Sequence, residues 1–376
     1  MRIGVLRDHT VKRISFSYND GSYAIFADTN YFGVILPNEF IELNASANGT
    51  VKLKIGAKEL GDFSKVLLIQ TQVNTSMTLT CKTPVIKPRK YKDDFEITCP
   101  STSLCIVNLV EMDNYLAGVV ESEGGGGKQL EYYKVQTIMS RSYALKYVER
   151  HKKEGFQLCD RVHCQAYHSM MRFTPIIDSA VIQTHNLVLT DVNKGLIDAY
   201  FHANCGGQTC EPQFVWNESI PYLSTFKDTF CIYTKQATWE TRVSQEKWKH
   251  FIVNKYNFPI KDSLFVSMMF TFNQEDRKAF YLDPVFGIPL RDLREEFKLK
   301  STYFSCRPEG EDVVISGRGF GHGVGLCQEG AMKMARSGFD FEQILLFYFP
   351  GSKVIDWHNQ KVFDQKSVRL TNSIHN

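Results

Sequence analysis

Residues 113–123 read Asp-Asn-Tyr-Leu-Ala-Gly-Val-Val-Glu-Ser-Glu, four glycines follow at 124–127, and an amphipathic run then reaches Ser140-Arg-Ser-Tyr143. Asp113 is a good N-cap type, so the pattern predicts a short helix over Asn114–Glu123. At about 100° per residue, Leu116, Val119, Val120 and Glu123 share one side, while Glu121 turns well away toward water. The helix therefore aims the Glu123 carboxyl at the interior or at a cleft wall. Burial there disfavours the charged form, which suits a general acid. Gly124 to Gly127 break the helix beside that carboxyl and leave room for something bulky. The plainer alternative is an acid at a frayed helix end, bound to a nearby Arg.

A second helix is predicted from about Gln129 to Lys153, with Val135, Ile138, Met139, Leu145 and Val148 at helical spacing. Arg141 lies at the edge of that stripe, either paired with Glu123 or standing as a solvated surface charge. Upstream, residues 1–105 read as strands: Arg2–Leu6, Arg13–Ser17, Ser22–Ala27, Val34–Leu36, Val51–Ile55, Val66–Gln70 and Met77–Cys81. Turn residues separate these runs, and Pro84, Pro88 and the basic stretch Lys87–Lys92 interrupt the region. The fold class is α+β: a β-rich N-terminal lobe, then a mixed α/β catalytic region with a central groove. Four segments follow from this, namely 1–105, 106–235, an accessory lobe over 236–305, and a closing segment 306–376. Helices are clearest at Gln245–Lys255, Leu290–Phe297, Ala331–Ser337 and Phe341–Phe349.

A net charge of +3, evenly spread, excludes nucleic acid as the partner, and no run has the length of a membrane span. Aromatic residues at 13% suit carbohydrate stacking and a β-rich core equally. Ten cysteines are too few for a disulfide-built scaffold of 376 residues. The close pairs Cys99/Cys105, Cys159/Cys164 and Cys205/Cys210 read as metal ligands or local disulfides. Cys159, His163 and Cys164 are the preferred zinc ligands, with His151 favoured over His168 as the fourth. A closed four-ligand site would be structural. The alternatives are a disulfide or free thiols with surface histidines; a Cys-His catalytic pair lacks an orienting group.

Phe201-His-Ala-Asn-Cys-Gly-Gly-Gln-Thr-Cys210 places a polar loop directly after an apolar strand, where His202 and Gln208 are candidate substrate contacts. The alternative is a self-satisfied turn. Trp216, Pro221 and Tyr222 continue a loop able to supply stacking surface. Gly317-Arg-Gly-Phe-Gly-His-Gly-Val-Gly-Leu-Cys-Gln-Glu-Gly-Ala331 lacks the Lys-Ser/Thr of a P-loop, so it is no phosphate cradle. Its glycines let the backbone approach another chain or a ligand, and His322 is a candidate contact or a structural histidine.

Four stretches carry a resemblance: Tyr115 to Glu123, Gln136 to Tyr143, Phe201 to Thr209, and Gly317 to Ala331. Leu290-Arg-Asp-Leu-Arg294 and Lys300-Ser-Thr-Tyr-Phe304 add to it. The chain resembles the stage II sporulation protein D family, lytic transglycosylases of peptidoglycan, and the related amidase-enhancer proteins. The resemblance covers residues 105–351 in order. It implies a catalytic Glu123, the same residue that helix geometry selects. Some members also carry zinc on a Cys/His cluster, matched here by His163-Cys164 with Cys159 and His151 at somewhat different spacing.

Two departures stand out. Gly124-Gly125 replaces a common Met-Pro, and Cys327 replaces a usual Ser. The implied activity cleaves the β-1,4 bond between N-acetylmuramic acid and N-acetylglucosamine and forms a 1,6-anhydro ring. Glu123 is the single general acid/base, and Arg141, His202, Gln208 and His322 bind substrate. The alternative is a non-catalytic glycan-binding enhancer of a cell-wall amidase, and a weaker third idea is a zinc hydrolase. Zinc, if held, is structural and not required by the chemistry. Peptidoglycan strands and a cell-wall amidase are the implied partners. Such a substrate implies a bacterial, extracytoplasmic protein, with the export segment absent from this chain.

Overall fold

Period-two alternation in the first hundred residues becomes two sheets, antiparallel except where Leu158–Cys159 joins Arg2–Val5 in parallel, in the computed structural model, which describes residues 1–35, 39–261 and 263–359. The six-stranded sheet runs in the order Arg89–Lys92, Ser76–Thr83, Arg13–Asp20, Phe40–Ala45, Val51–Ile55, Lys58–Phe63. The seven-stranded sheet runs Leu158–Cys159, Arg2–Val5, Cys105–Leu109, Asp94–Thr98, Lys65–Gln70, Tyr23–Ala27, Asn30–Val34. Inward positions Ile14, Phe16, Ile41, Leu43 and Leu53 of one sheet, and Ile25, Val66, Leu68, Phe95 and Ile97 of the other, are buried. Phe16 and Phe95 meet across the sheets at 4.7 Å between ring centroids. Each such side chain contributes about 1.5–3 kcal/mol, so a one-residue slip that exposed a whole face is heavily disfavoured. The α+β class read from sequence holds.

Some strands escaped the sequence reading. Arg89–Lys92 lies inside the basic stretch taken as an interruption; it pairs with Ser76–Leu79 as the sheet's outer strand. Charge on an edge strand guards against further pairing. The expected strand over Val34–Leu36 falls partly outside the described residues. Val34 itself ends the strand Asn30–Val34.

The described residues divide into two compact units: residues 1–188 with 356–359, and residues 189–355. The division falls inside the segment expected over 106–235. In the first unit, α1 (Met112–Gly124), α2 (Leu130–Lys146) and α3 (Ile176–Gln183) pack against one another. Helix α2 stops at Lys146 rather than continuing to Lys153, because the chain turns at Tyr147 and returns to the sheet, where Gln157 N–H donates to Arg2 O. In the second unit, strands Thr238–Ser244, Asp312–Arg318 and Phe304–Glu309 form an antiparallel sheet. Helix Gln245–Tyr256 buries Trp248 and Ile252 in a core that also holds Leu290, Leu293, Phe304, Val313 and Ile315. Residues 236–305 thus share one core with the strand that follows them. Phe201–His202 pairs in parallel with Leu326–Cys327, and helices Gln328–Arg336 and Phe341–Tyr348 close the unit.

Candidate active site and metal centre

Helix α1 delivers Glu123 from its last turn. Leu116, Val119 and Val120 are fully buried, and Glu123 lies half-buried on their side. Glu123 Oε1 accepts the Ala166 N–H at 2.8 Å. Burial pushes this carboxyl above the ordinary carboxylate range, and the Ala166 bond only partly opposes the shift. Gly125 adopts φ 65°, ψ −178°, closed to proline and strained for any L residue, which accounts for a glycine where Met-Pro is common. Tyr133 OH donates to Gly125 O at 2.9 Å and accepts Lys128 N–H at 3.0 Å, fixing the glycine loop. A Cβ at Gly125 or Gly127 would meet nothing within 4 Å, so the helix end stays open on that side.

Three details differ from the sequence reading. Glu111, not Asp113, is the N-cap; Asp113 lies in the first turn. Glu121 is not a free solvated acid: at a partly exposed position it accepts Arg172 N–H at 2.7 Å, Phe173 N–H at 2.8 Å and the Thr174 hydroxyl at 3.1 Å. Arg141 neither pairs with Glu123 nor stands in solvent. It is buried, its Nη1 donating to Thr184 O at 2.7 Å and Leu187 O at 3.1 Å, with Asp113 3.6 Å from Nη2. Burial pulls its pKa down to about 10, so it remains a cation at neutral pH. Its geometry ties α2 to the end of α3.

Directly after α2, His151, Cys159, His163 and Cys164 place four ligand atoms within 4.8 Å of one another. Cys164 Sγ lies 3.5 Å from His151 Nε2 and 3.7 Å from His163 Nδ1, and Cys159 Sγ lies 3.8 Å from His163 Nδ1. Two thiols and two imidazoles at such separations could hold a tetrahedral zinc. His151 Nδ1 meets Glu154 Oε1 at 2.5 Å, which leaves Nε2 for a metal. Asp160, next to Cys159, accepts Leu6 N–H at 2.8 Å and pairs with Arg89 at 2.8 Å, anchoring this loop to the sheet. The loop reaches Glu123 through Ala166, two residues past Cys164. His168 is exposed and stands outside the cluster.

The remaining candidates belong to the second unit. Gln208 is buried, its Oε1 accepting Arg277 N–H at 2.9 Å and its backbone O the Arg277 Nε–H at 2.8 Å, so its polar groups serve the fold. His202 is buried, with Nδ1 3.1 Å from Val324 O and no hydrogen-bond partner for Nε2 among the described residues. His322 Nδ1 accepts Val324 N–H at 3.1 Å, and its ring lies 5.6 Å from His202 and 5.2 Å from the half-exposed Trp216. Burial lowers both histidines, His322 to about 4, so both are neutral near pH 7. Values below the ordinary 6.5 mean that stability from His322 is present above pH 6.5 and is lost as pH falls toward 4. That loss is on the order of 3 kcal/mol. Melting curves recorded from pH 7 to 4 should show the decline, and a flat profile would contradict the burial.

The glycine loop packs closely against its own chain. Asn204 and Phe320 exchange two backbone bonds, at 3.1 and 2.8 Å. A Cβ on Gly319 would lie 2.5 Å from Asn204 O, on Gly321 2.8 Å from His202 Cβ, and on Gly325 2.2 Å from Tyr200 O. Gly325→Ala is therefore expected to destabilise the protein by at least about 2 kcal/mol, through clash and a φ of 71°. Urea unfolding measures it; a change below about 0.5 kcal/mol would refute the packing role.

Residues 101–190 match the model of the stage II sporulation protein family. Stage II sporulation protein D of Bacillus subtilis is 25% identical over 268 residues, 66% of this chain and 75% of that protein. Over this stretch the chain is similar to the stage II sporulation protein D family. The family match covers α1, α2 and the Cys/His loop, so Glu123 and the four-residue cluster lie within it. The amidase enhancer of Bacillus subtilis is 25% identical over 294 residues, covering 64% of this chain and 40% of the enhancer. A protein of Brachyspira hyodysenteriae is 25% identical over 327 residues, 84% of this chain and 85% of its own length. Among the described residues, no helix is long and apolar enough to cross a membrane.

Two groups at these sites have no sequence signal. The Ala166 N–H that holds Glu123 is a backbone atom 43 residues away. Glu329, which accepts Asn204 Nδ2 at 2.7 Å, is 125 residues from its partner.

Proposed function

We propose that the chain is a cell-wall enzyme, a lytic transglycosylase cleaving the β-1,4 bond between N-acetylmuramic acid and N-acetylglucosamine outside the cytoplasm. One observation carries this reading: the half-buried Glu123 carboxyl, lifted above the ordinary range and held by one N–H beside a glycine break. Neutral Glu123 gives its proton to the glycosidic oxygen as the C1–O bond breaks. The resulting carboxylate takes the proton of the muramic acid C6 hydroxyl, whose oxygen bonds to C1 and closes the 1,6-anhydro ring. Proton and electron pair balance, and the substrate supplies the nucleophile, so no second carboxylate is needed; ordinary glycosidases require one. Of the four expected substrate contacts, Arg141 and Gln208 are engaged within the fold. Within the second unit, taken by itself, His202, with its unpartnered Nε2, and His322 beside Trp216 keep groups able to bind a sugar.

We further propose zinc at His151, Cys159, His163 and Cys164. Four protein ligands leave no open position for a reacting water, so the ion's part is to fix the loop. This speaks against a zinc hydrolase.

The similarity to an amidase enhancer supports a second reading, a glycan-binding partner of a cell-wall amidase without activity of its own. Mass spectrometry of products from purified glycan strands separates the two. Anhydro ends made by the protein alone support the enzyme; binding without product rejects it in favour of the enhancer.

A further inference from the structure

Within the second unit, Cys205, Asp228, Cys231 and Cys327 are all buried, and their ligand atoms lie within 4.8 Å of one another. We propose that these four residues form a second structural metal site, of the zinc class. This inference is independent of the proposed activity.

The donors converge from three segments. Cys205 follows the strand Phe201–His202, Asp228 and Cys231 stand on one turn, and Cys327 caps the nine-residue helix Gln328–Arg336. Cys205 Sγ lies 3.2 Å from Cys231 Sγ and 3.3 Å from Asp228 Oδ2. A tetrahedral zinc with Zn–S of about 2.3 Å needs ligand edges of about 3.7 Å, so small side-chain adjustments would seat it. Three sulfurs and one carboxylate oxygen select a borderline-soft ion over calcium or magnesium, and four protein donors close its coordination.

The surroundings fit negative sulfur. Cys327 Sγ accepts the backbone N–H of Cys205 at 3.3 Å and of Gly330 at 3.4 Å, the latter in the first turn of a helix. Asp228 is held by Tyr348 OH at 2.9 Å and Phe230 N–H at 2.9 Å, which orient the carboxylate as outer partners do at metal sites. Among the described residues no Lys or Arg pairs with Asp228 in a salt bridge. A buried carboxylate among thiols without a cation is costly, and a divalent ion removes that cost. Gly330 makes the space: a Cβ there would lie 2.1 Å from Tyr348 Oη and 2.6 Å from Asp228 Oδ2. Bound metal would rivet the loop after His202 to the end of the glycine loop that carries His322.

The test is zinc content of the full chain, prepared with zinc and reductant and counted by elemental mass spectrometry. Cys231→Ser/Cys327→Ser should lose one equivalent per chain relative to wild type, while Cys159→Ser/Cys164→Ser should keep that equivalent. Equal metal in wild type and Cys231→Ser/Cys327→Ser overturns the proposal. So does an intact mass showing a disulfide among the three cysteines in freshly isolated protein. Should that double variant not fold, Asp228→Asn serves instead, since it keeps the volume and the Tyr348 contact. It should release one equivalent to a chelator at least about tenfold faster than wild type, and unchanged release overturns the proposal.

Discussion

Glu123→Gln is expected to cut release of 1,6-anhydro products by about 10²–10⁴-fold, the usual worth of positioned acid–base help, while the fold survives. The amide keeps the shape of the carboxyl and still accepts the Ala166 N–H through its oxygen. It cannot donate and recover a proton. The wild-type carboxyl has a folded pKa above its unfolded value, so the stability it contributes is present below the ordinary carboxylate range and is lost as pH rises through the folded pKa. The variant should therefore be as stable as wild type, or more so, at neutral pH, with the advantage shrinking in acid. Product analysis and paired melting curves read both effects. Undiminished turnover would remove Glu123 from the mechanism.

Cys159→Ser/Cys164→Ser should be the second severe change. Loss of a structural zinc commonly removes several kcal/mol, and about 3 kcal/mol would lower the first unit's melting temperature by about 6–12 °C. Activity should fall as well, for a geometric reason: Cys164 stands two residues before Ala166, whose N–H holds Glu123. Since the ion does no chemistry in this account, exchanging zinc for cobalt should leave kcat unchanged. A kcat that followed the metal's identity would point to a reacting ion, and a melting temperature unmoved by the double substitution would argue against bound zinc.

What the sequence disclosed follows from locality. Alternation fixed most strands, 3.6-residue spacing placed Leu116, Val119 and Val120 inward together with Glu123, and the dense Cys/His run was visible because its four residues span only 14 positions, 151–164. Arg141 and Glu121 were misread because helical periodicity shows which side a residue occupies, not which carbonyls or N–H groups another segment brings there. The proximity of Cys205 to Cys210 suggested a pair, yet neither is in a disulfide and Cys205 keeps company with Cys231 and Cys327. Cys99 and Cys105 are likewise free thiols; Cys99 Sγ donates to Ser101 O at 3.2 Å. Side chains 122 residues apart leave no pattern along the chain.

Gly319, Gly321 and Gly325 are required because Asn204, His202 and Tyr200 press directly against them, and Arg277 and Cys210 crowd Gly323. Their spacing is thus a requirement of assembly, imposed whether or not a sugar is ever cut. A homologue that had discarded catalysis would still be held to this spacing, so the signature marks the fold and not the activity. On the proposed mechanism, activity is read instead from a single acid, Glu123, which lies outside this loop.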